Sequence, residues 1–204
     1  MMPVVPKPIV GFFAKKYVAG SCLDDAVKQV KKLNEQGICA TLDVLGEDVT
    51  KKEESRRAVE QYRAILAAIE EMGLDSGISV KPTQMGLNLN YDFCYENIRE
   101  LVEDADKRGI FVRIDIEDSS TTDNTFRLLA DLKKQYDNVG VAIQAYLRRS
   151  LDDINNTLVP LSANVRICKG IYNEKHEIAY KDYEIIRKNF AYLLEKLLAG
   201  GCYV

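Results

Sequence analysis

The stretch FVRIDI, residues 111–116, decides how this chain is read: Val112, Ile114 and Ile116 are apolar, while Arg113 and Asp115 between them are charged. Strict alternation is the period of a β-strand with two unlike faces. Four further runs make the same choice. In CATLDV (39–44) Leu42 and Val44 alternate with Thr41 and Asp43, and in ISVK (78–81) Ile78 and Val80 alternate with Ser79 and Lys81. In VAIQ (141–144) Val141 and Ile143 alternate with Ala142 and Gln144, and in NVRICK (164–169) Val165 and Ile167 alternate with Arg166 and Cys168.

Between these runs lie amphipathic stretches, so strands begin near Cys39, Gly77, Ile110, Val139, Asn164 and Gly201, about 30 residues apart, the length of one βαβ unit. KKEESRRAVEQYRAILAAIEEMG (51–73) sets Val59, Tyr62, Leu66 and Ile69 on one helical face and stops at Gly73. Further helices are expected over Asp92–Gly109, over Thr122–Tyr136, as a short one capped by Ser150, and as a long one carrying Tyr183, Ile186, Phe190, Leu193, Leu194 and Leu197. A helix capped by Ser21 and Asp24 and ended by Gly37 precedes the first strand. Strands joined by crossover helices run parallel, and a doubly wound sheet, covered on both faces, would be apolar on both. One charged face points instead to α/β architecture of the (β/α)₈ TIM type, whose inner face holds a polar site at the C-terminal rim. The expected organisation is an N-terminal helical segment, 1–37, and a barrel domain, 38–204, with about five to six of the eight strands.

With 204 residues, 47% hydrophobic and 29% charged, the chain has the profile of a globular domain that buries about 70% of its unfolded surface. A balance of 28 Lys+Arg against 31 Asp+Glu without a basic block excludes a nucleic-acid footprint. Five scattered cysteines, with no C-x-x-C pair and only one histidine, read as reduced thiols buried as small hydrophobes, with no metal site. No run approaches the ~18 apolar residues that span a bilayer, and the proline-bearing Met1–Pro8 lacks an apolar signal core, so a cytoplasmic location is expected.

The strand ends carry the chemistry. Lys81, Arg113 and Arg166 against Asp43 and Asp115 leave one excess positive charge in a concavity, which suits an anionic substrate or a reduced, negatively charged cofactor. Arg113 and Asp115, two residues apart on one face, are expected to form a structural ion pair. His176, in the polar loop NEKHE, reads as a solvated loop residue. Neither G-x-G-x-x-G, a P-loop, G-x-S-x-G nor H-E-x-x-H is present. Paired carboxylates, Asp43 with Asp115 or Glu117 with Asp118, would suit a glycosidase, but the latter two are adjacent and diverge.

ISVKPTQMGLNL (78–89), FVRIDIEDS (111–119), VGVAIQAYLRR (139–149) and VRICKGIYNE (165–174), in this order and at these intervals, resemble the proline dehydrogenase family of flavoenzymes. The resemblance runs from about LDVLGEDV (42–49) to the end of the chain. It implies FAD-dependent oxidation of L-proline to 1-pyrroline-5-carboxylate, with hydride passing to the flavin N5 and electrons to a quinone, at the inner-membrane surface where that quinone is a membrane one. It assigns Lys81 to the substrate pocket, Asp115 and Arg166 to catalysis, and Ile116, Gln144, Lys169, Gly170 and Ile171 to FAD contact. Ile116 is often methionine and Ile171 often alanine in relatives, mild changes where the main chain does the binding.

The family continues past this point with a Thr-His strand end, two further βα units and a last helix whose arginine pair clamps the proline carboxylate. The chain ends in GCYV, inside the expected sixth strand. The expectation is an incomplete form of a longer proline dehydrogenase, with an exposed strand edge that favours oligomers. The alternative is a non-catalytic barrel fragment that works by association with a complementary chain.

Overall fold

A computed structural model describes residues 19, 20 and 22–204. Five strands, β1 (Ala40–Asp43), β2 (Ser76–Val80), β3 (Val112–Ile114), β4 (Val139–Gln144) and β5 (Val165–Cys168), form one sheet in the order β1-β2-β3-β4-β5. Every pairing is parallel. Parallel strands laid down in sequence order are the arrangement of a barrel wall, whereas a doubly wound sheet reverses its order part-way. Of the expected sixth strand, one parallel bridge, Asn164 to Tyr203, is present.

The helices are α1 (Leu23–Asn34), α2 (Lys52–Glu71), α3 (Tyr91–Lys107), α4 (Thr122–Leu132), α5 (Ser150–Asp153), which runs on as a π turn over Ile154–Leu158, and α6 (Tyr183–Ala199). Their inward stripes bury Val59, Tyr62, Leu66, Ile69, Ile98, Leu101, Leu128 and Leu129 against the outer faces of the strands, where Ile78, Val80, Val112, Ile114 and Val141 are fully buried. That outer layer is the core. The inner face keeps its polar groups, and strand register aligns them: Asp43 with Ser79, Ser79 with Arg113, and Gln144 with Cys168, while Arg166 stands beside the small Ala142.

Local details depart from the expectation where a side chain found a different partner. Ser150 is no cap: its hydroxyl donates to Gln144 O at 2.7 Å, and the short helix is fastened by Arg149 on Asp153 (Nε to Oδ2, 2.9 Å). α3 starts one residue early, because Asn90 accepts from Phe93 N at 2.9 Å and caps it. α4 stops at Leu132, four residues short, and loosens into turns before Tyr136. Cys22 is the cap residue of α1, Asp24 lies within its first turn, and Ser21 lies outside the described residues. Of the five free cysteines, Cys94 and Cys202 are buried and Cys168 partly so, but Cys22 and Cys39 are exposed, against the buried reading. Among the described residues no helix is long and apolar enough to cross a membrane.

Candidate active site

At the C-terminal ends of the strands lies a cavity of about 400 Å³. Lys81, Asp115, Ile116, Gln144, Arg166, Lys169, Gly170 and Ile171 all line it, together with Glu47, Cys168 and Tyr172. The eight residues singled out in the sequence therefore converge on one concavity. Its lining cations, Lys81, Arg166 and Lys169, outnumber its carboxylates, Glu47 and Asp115, by one, but Arg113 and Asp43 of the expected set do not line it, and Lys169 and Glu47 stand in their place.

Asp115 is the hub. Its carboxylate accepts from Ser79 Oγ at 2.7 Å and lies 3.6 Å from both Lys81 Nζ, just past the end of β2, and Arg166 Nη2, on β5. Lys81 Nζ also donates to Asp43 Oδ2 at 2.6 Å. Burial alone would lower the Lys81 pKa, but the Asp43 hydrogen bond and charge, with Asp115 and Glu47 behind them, hold it above the ordinary value. Asp43 takes one of its three donors and Asp115 is an ion-pair partner at 3.6 Å, beyond hydrogen-bond distance, so Lys81 keeps N–H donors for a ligand.

Arg113 does not pair with Asp115. Its Nη2 donates to Asn164 Oδ1 at 3.1 Å and its guanidinium stacks 5.1 Å from the Phe111 ring centroid. The reason is direction: Asp115 sits beyond the last rung of β3 and turns to β2, where Ser79 and Lys81 offer donors, leaving Arg113 one layer deeper. Burial and the positive charge of Arg166 push Arg113 below its ordinary pKa. The glycosidase pairs dissolve as well. Asp43 and Asp115 are bridged by Lys81. Glu117 is buried, taking Thr83 N at 2.8 Å and Thr83 Oγ1 at 2.6 Å, and burial raises its pKa, whereas Asp118 is exposed and accepts from Ser120.

Gln144 is 2% exposed and its Nε2 donates to Ile116 O (3.1 Å) and Glu117 O (3.2 Å), leaving Oε1 with no protein partner. The rim beyond β5 is an extension of the ladder: Cys168 O accepts from Ala145 N at 2.7 Å and Lys169 O from Tyr146 N at 2.9 Å. Gly170 lies flat on the Tyr146 ring at φ 111°, while the Lys169 ammonium reaches Tyr183 Oη at 2.9 Å. Glu174 then ties this loop to the turn after β3, accepting from Ser119 N (2.7 Å) and Ser119 Oγ (2.8 Å). His176 is exposed and contributes only its carbonyl, to Arg148. Among the described residues no group of three His, Cys, Asp or Glu side chains is placed to hold a metal.

The model of the family described as proline dehydrogenase matches residues 26–184. The chain belongs to the proline dehydrogenase family. Proline dehydrogenase 1 of Bacillus subtilis subsp. natto is 35% identical over 190 residues, covering 93% of this chain and 63% of that protein, and proline dehydrogenase of Deinococcus radiodurans is 29% identical over 195 residues with the same coverages. The chain thus spans just under two thirds of those relatives. Among solved structures, proline utilization A from Bdellovibrio bacteriovorus, inactivated by N-propargylglycine, superposes with a TM-score of 0.84 at 21% identity, over 95% of this chain and 25% of that one. Proline utilization A of Bradyrhizobium japonicum, as its D778Y mutant, gives 0.71 at 20% identity over 89% of this chain and 22% of that one. These two likenesses carry the fold.

Three members of this side-chain cluster carry no signal of a site in the sequence. Tyr62 was read only as a member of an apolar face, yet its hydroxyl reaches Asp43. Glu47 and Tyr172, which approach each other at 3.4 Å across the cavity, sit in loops where no period marks them.

The raised Lys81 pKa has a pH signature. A cation whose pKa is higher folded than unfolded contributes all its stability below the unfolded value, 10.5, and loses it as pH rises through the folded one. The difference in urea midpoint between the wild type and Lys81→Met is therefore expected to be flat through neutral pH and to shrink in alkali. A difference indifferent to alkali would show that the triad with Asp43 and Asp115 adds no stability.

Proposed function

We propose that the protein oxidises L-proline to 1-pyrroline-5-carboxylate with FAD. The observation that carries this reading is the convergence of all eight assigned residues on the one cavity at the C-terminal rim. The residues present fit the cofactor. The unpartnered Gln144 Oε1 is an acceptor suited to an N–H of the isoalloxazine ring, the Lys169, Gly170 and Ile171 run lines the cavity wall, and Arg166 supplies a cation beside it. The chemistry FAD supplies when bound is acceptance of a hydride from the carbon beside the proline nitrogen, the electrons then passing to a quinone.

Lys81 holds the anionic end of proline with a remaining N–H. Asp115 fixes Lys81 and Arg166 relative to each other, so that substrate and cofactor charges meet in one place. Arg166 stabilises the negative charge that accumulates as the cofactor is reduced. Lys81→Met should therefore raise the KM for L-proline by about tenfold, the loss of one charge-assisted contact of ~1.5 kcal/mol, with a smaller change in kcat. Steady-state kinetics with an artificial dye acceptor checks this, and an unchanged KM would remove Lys81 from the substrate pocket. A direct test of the cofactor is titration of the protein with FAD, followed by quenching of flavin fluorescence. Saturable quenching is expected, and none at all would refute the flavin reading.

A further inference from the structure

The last rung between β1 and β2 is built from a side chain. The register pairs Asp43 with Ser79, so the next parallel rung would run from Val44 N to Ser79 O. A phenol stands in its place: Val44 N donates to Tyr62 Oη at 3.1 Å, and Tyr62 Oη lies 2.7 Å from Ser79 O and 2.8 Å from Asp43 Oδ1. Tyr62 comes from α2, outside the sheet, and is fully buried. Its single proton has two acceptors within reach, Ser79 O and Asp43 Oδ1, and the charged carboxylate is the stronger of the two; the phenol thus holds one oxygen of Asp43, while the other oxygen accepts from Lys81 at 2.6 Å.

We propose that Tyr62 is a positioning residue for Lys81, acting through Asp43. A carboxylate on a strand end rotates freely about its last torsion unless both oxygens are held, and here one is held by the buried helix and the other holds the ammonium. The phenol is kept in its protonated, donating form because burial, with the charge of Asp43, pushes its pKa up. The charged and titratable groups around Lys81 are Asp43 and Glu47 from β1 and its loop, Asp115 from β3, and Tyr62 from α2, with Arg166 and Cys168 from β5 facing Asp115. Of these only Tyr62 grips Asp43 from the core side. The inference rests on the proposed function for its catalytic meaning, but its test needs neither flavin nor proline.

The test is the titration of Lys81, followed by competitive amine labelling and mass spectrometry across alkaline pH. In Tyr62→Phe, which keeps the ring, Lys81 should lose part of its hold on the proton and label about threefold faster at fixed pH. In Asp43→Asn the increase should be about tenfold or more. Both variants are to be matched to the wild type by circular dichroism. A folded Tyr62→Phe with a wild-type Lys81 profile overturns the proposal. The second measurement holds even where Tyr62→Phe fails to fold: the Tyr62 hydroxyl proton, shielded from water, should give a slowly exchanging resonance that moves in Asp43→Asn. A hydroxyl resonance unmoved by Asp43→Asn overturns the proposal as well. Either failure leaves the flavin reading untouched, and failure of the flavin reading leaves the labelling result standing.

Discussion

Arg166→Met is expected to slow reduction of the bound flavin by L-proline about 10² to 10³-fold, while the KM for proline moves much less. The asymmetry follows from where the guanidinium stands. Arg166 projects from the inner face of β5, with its side chain 54% exposed toward the cavity, and its one ion pair, to Asp115, is a loose 3.6 Å. Its donors are thus not consumed by the protein, and in the proposed function they are free to meet the negative charge that grows during the reaction. An interaction made chiefly in the transition state shows in the rate of the chemical step and little in ground-state binding. Rapid-mixing absorbance of the reductive half-reaction separates the two. A mutant that reduces flavin at the wild-type rate with a large rise in KM would move Arg166 into substrate binding.

Gly170→Ala is the second large effect. At φ 111° an L side chain is strained by about 1 to 3 kcal/mol, and a Cβ built there would sit 2.2 Å from Cδ1 of Tyr146. Tyr146 cannot retreat: its ring is 5% exposed, and its main chain is tied on both sides, to Lys169 O and from Tyr180 N. The Lys169–Ile171 rim must lift instead. The expected outcome is a fall of at least tenfold in FAD affinity together with a lower melting temperature, both read from thermal melts over a range of FAD concentrations. A variant that melts and binds FAD as the wild type does would place the cofactor away from this rim.

How much of this was legible follows the range of the interactions. The five strands and their inner face could be read because a period of two is a local property: FVRIDI announces its own faces, and the C-terminal placement of Lys81, Asp115 and Gln144 follows from chain direction. The convergence on one cavity then follows from parallel register. Pairing within the site was not readable, since it depends on distances across strands. Arg113 and Asp115 share a face, yet Asp115 is captured by Ser79 and Lys81, 36 and 34 residues earlier in the sequence. Ser150 looked like a cap because serine precedes a helix, but the nearby Gln144 carbonyl competes for its hydroxyl. Tyr62 carried a double signal, an apolar position in the helix and a polar tip, and only the sheet shows what that tip replaces.

The most direct test of the account is anaerobic addition of L-proline to the FAD-loaded protein, with visible flavin absorbance recorded and the product trapped by an aminobenzaldehyde reagent. Bleaching of the flavin and one equivalent of trapped 1-pyrroline-5-carboxylate per flavin reduced are expected. Flavin that stays oxidised in the presence of saturating L-proline, in a protein that binds FAD stoichiometrically, would contradict it.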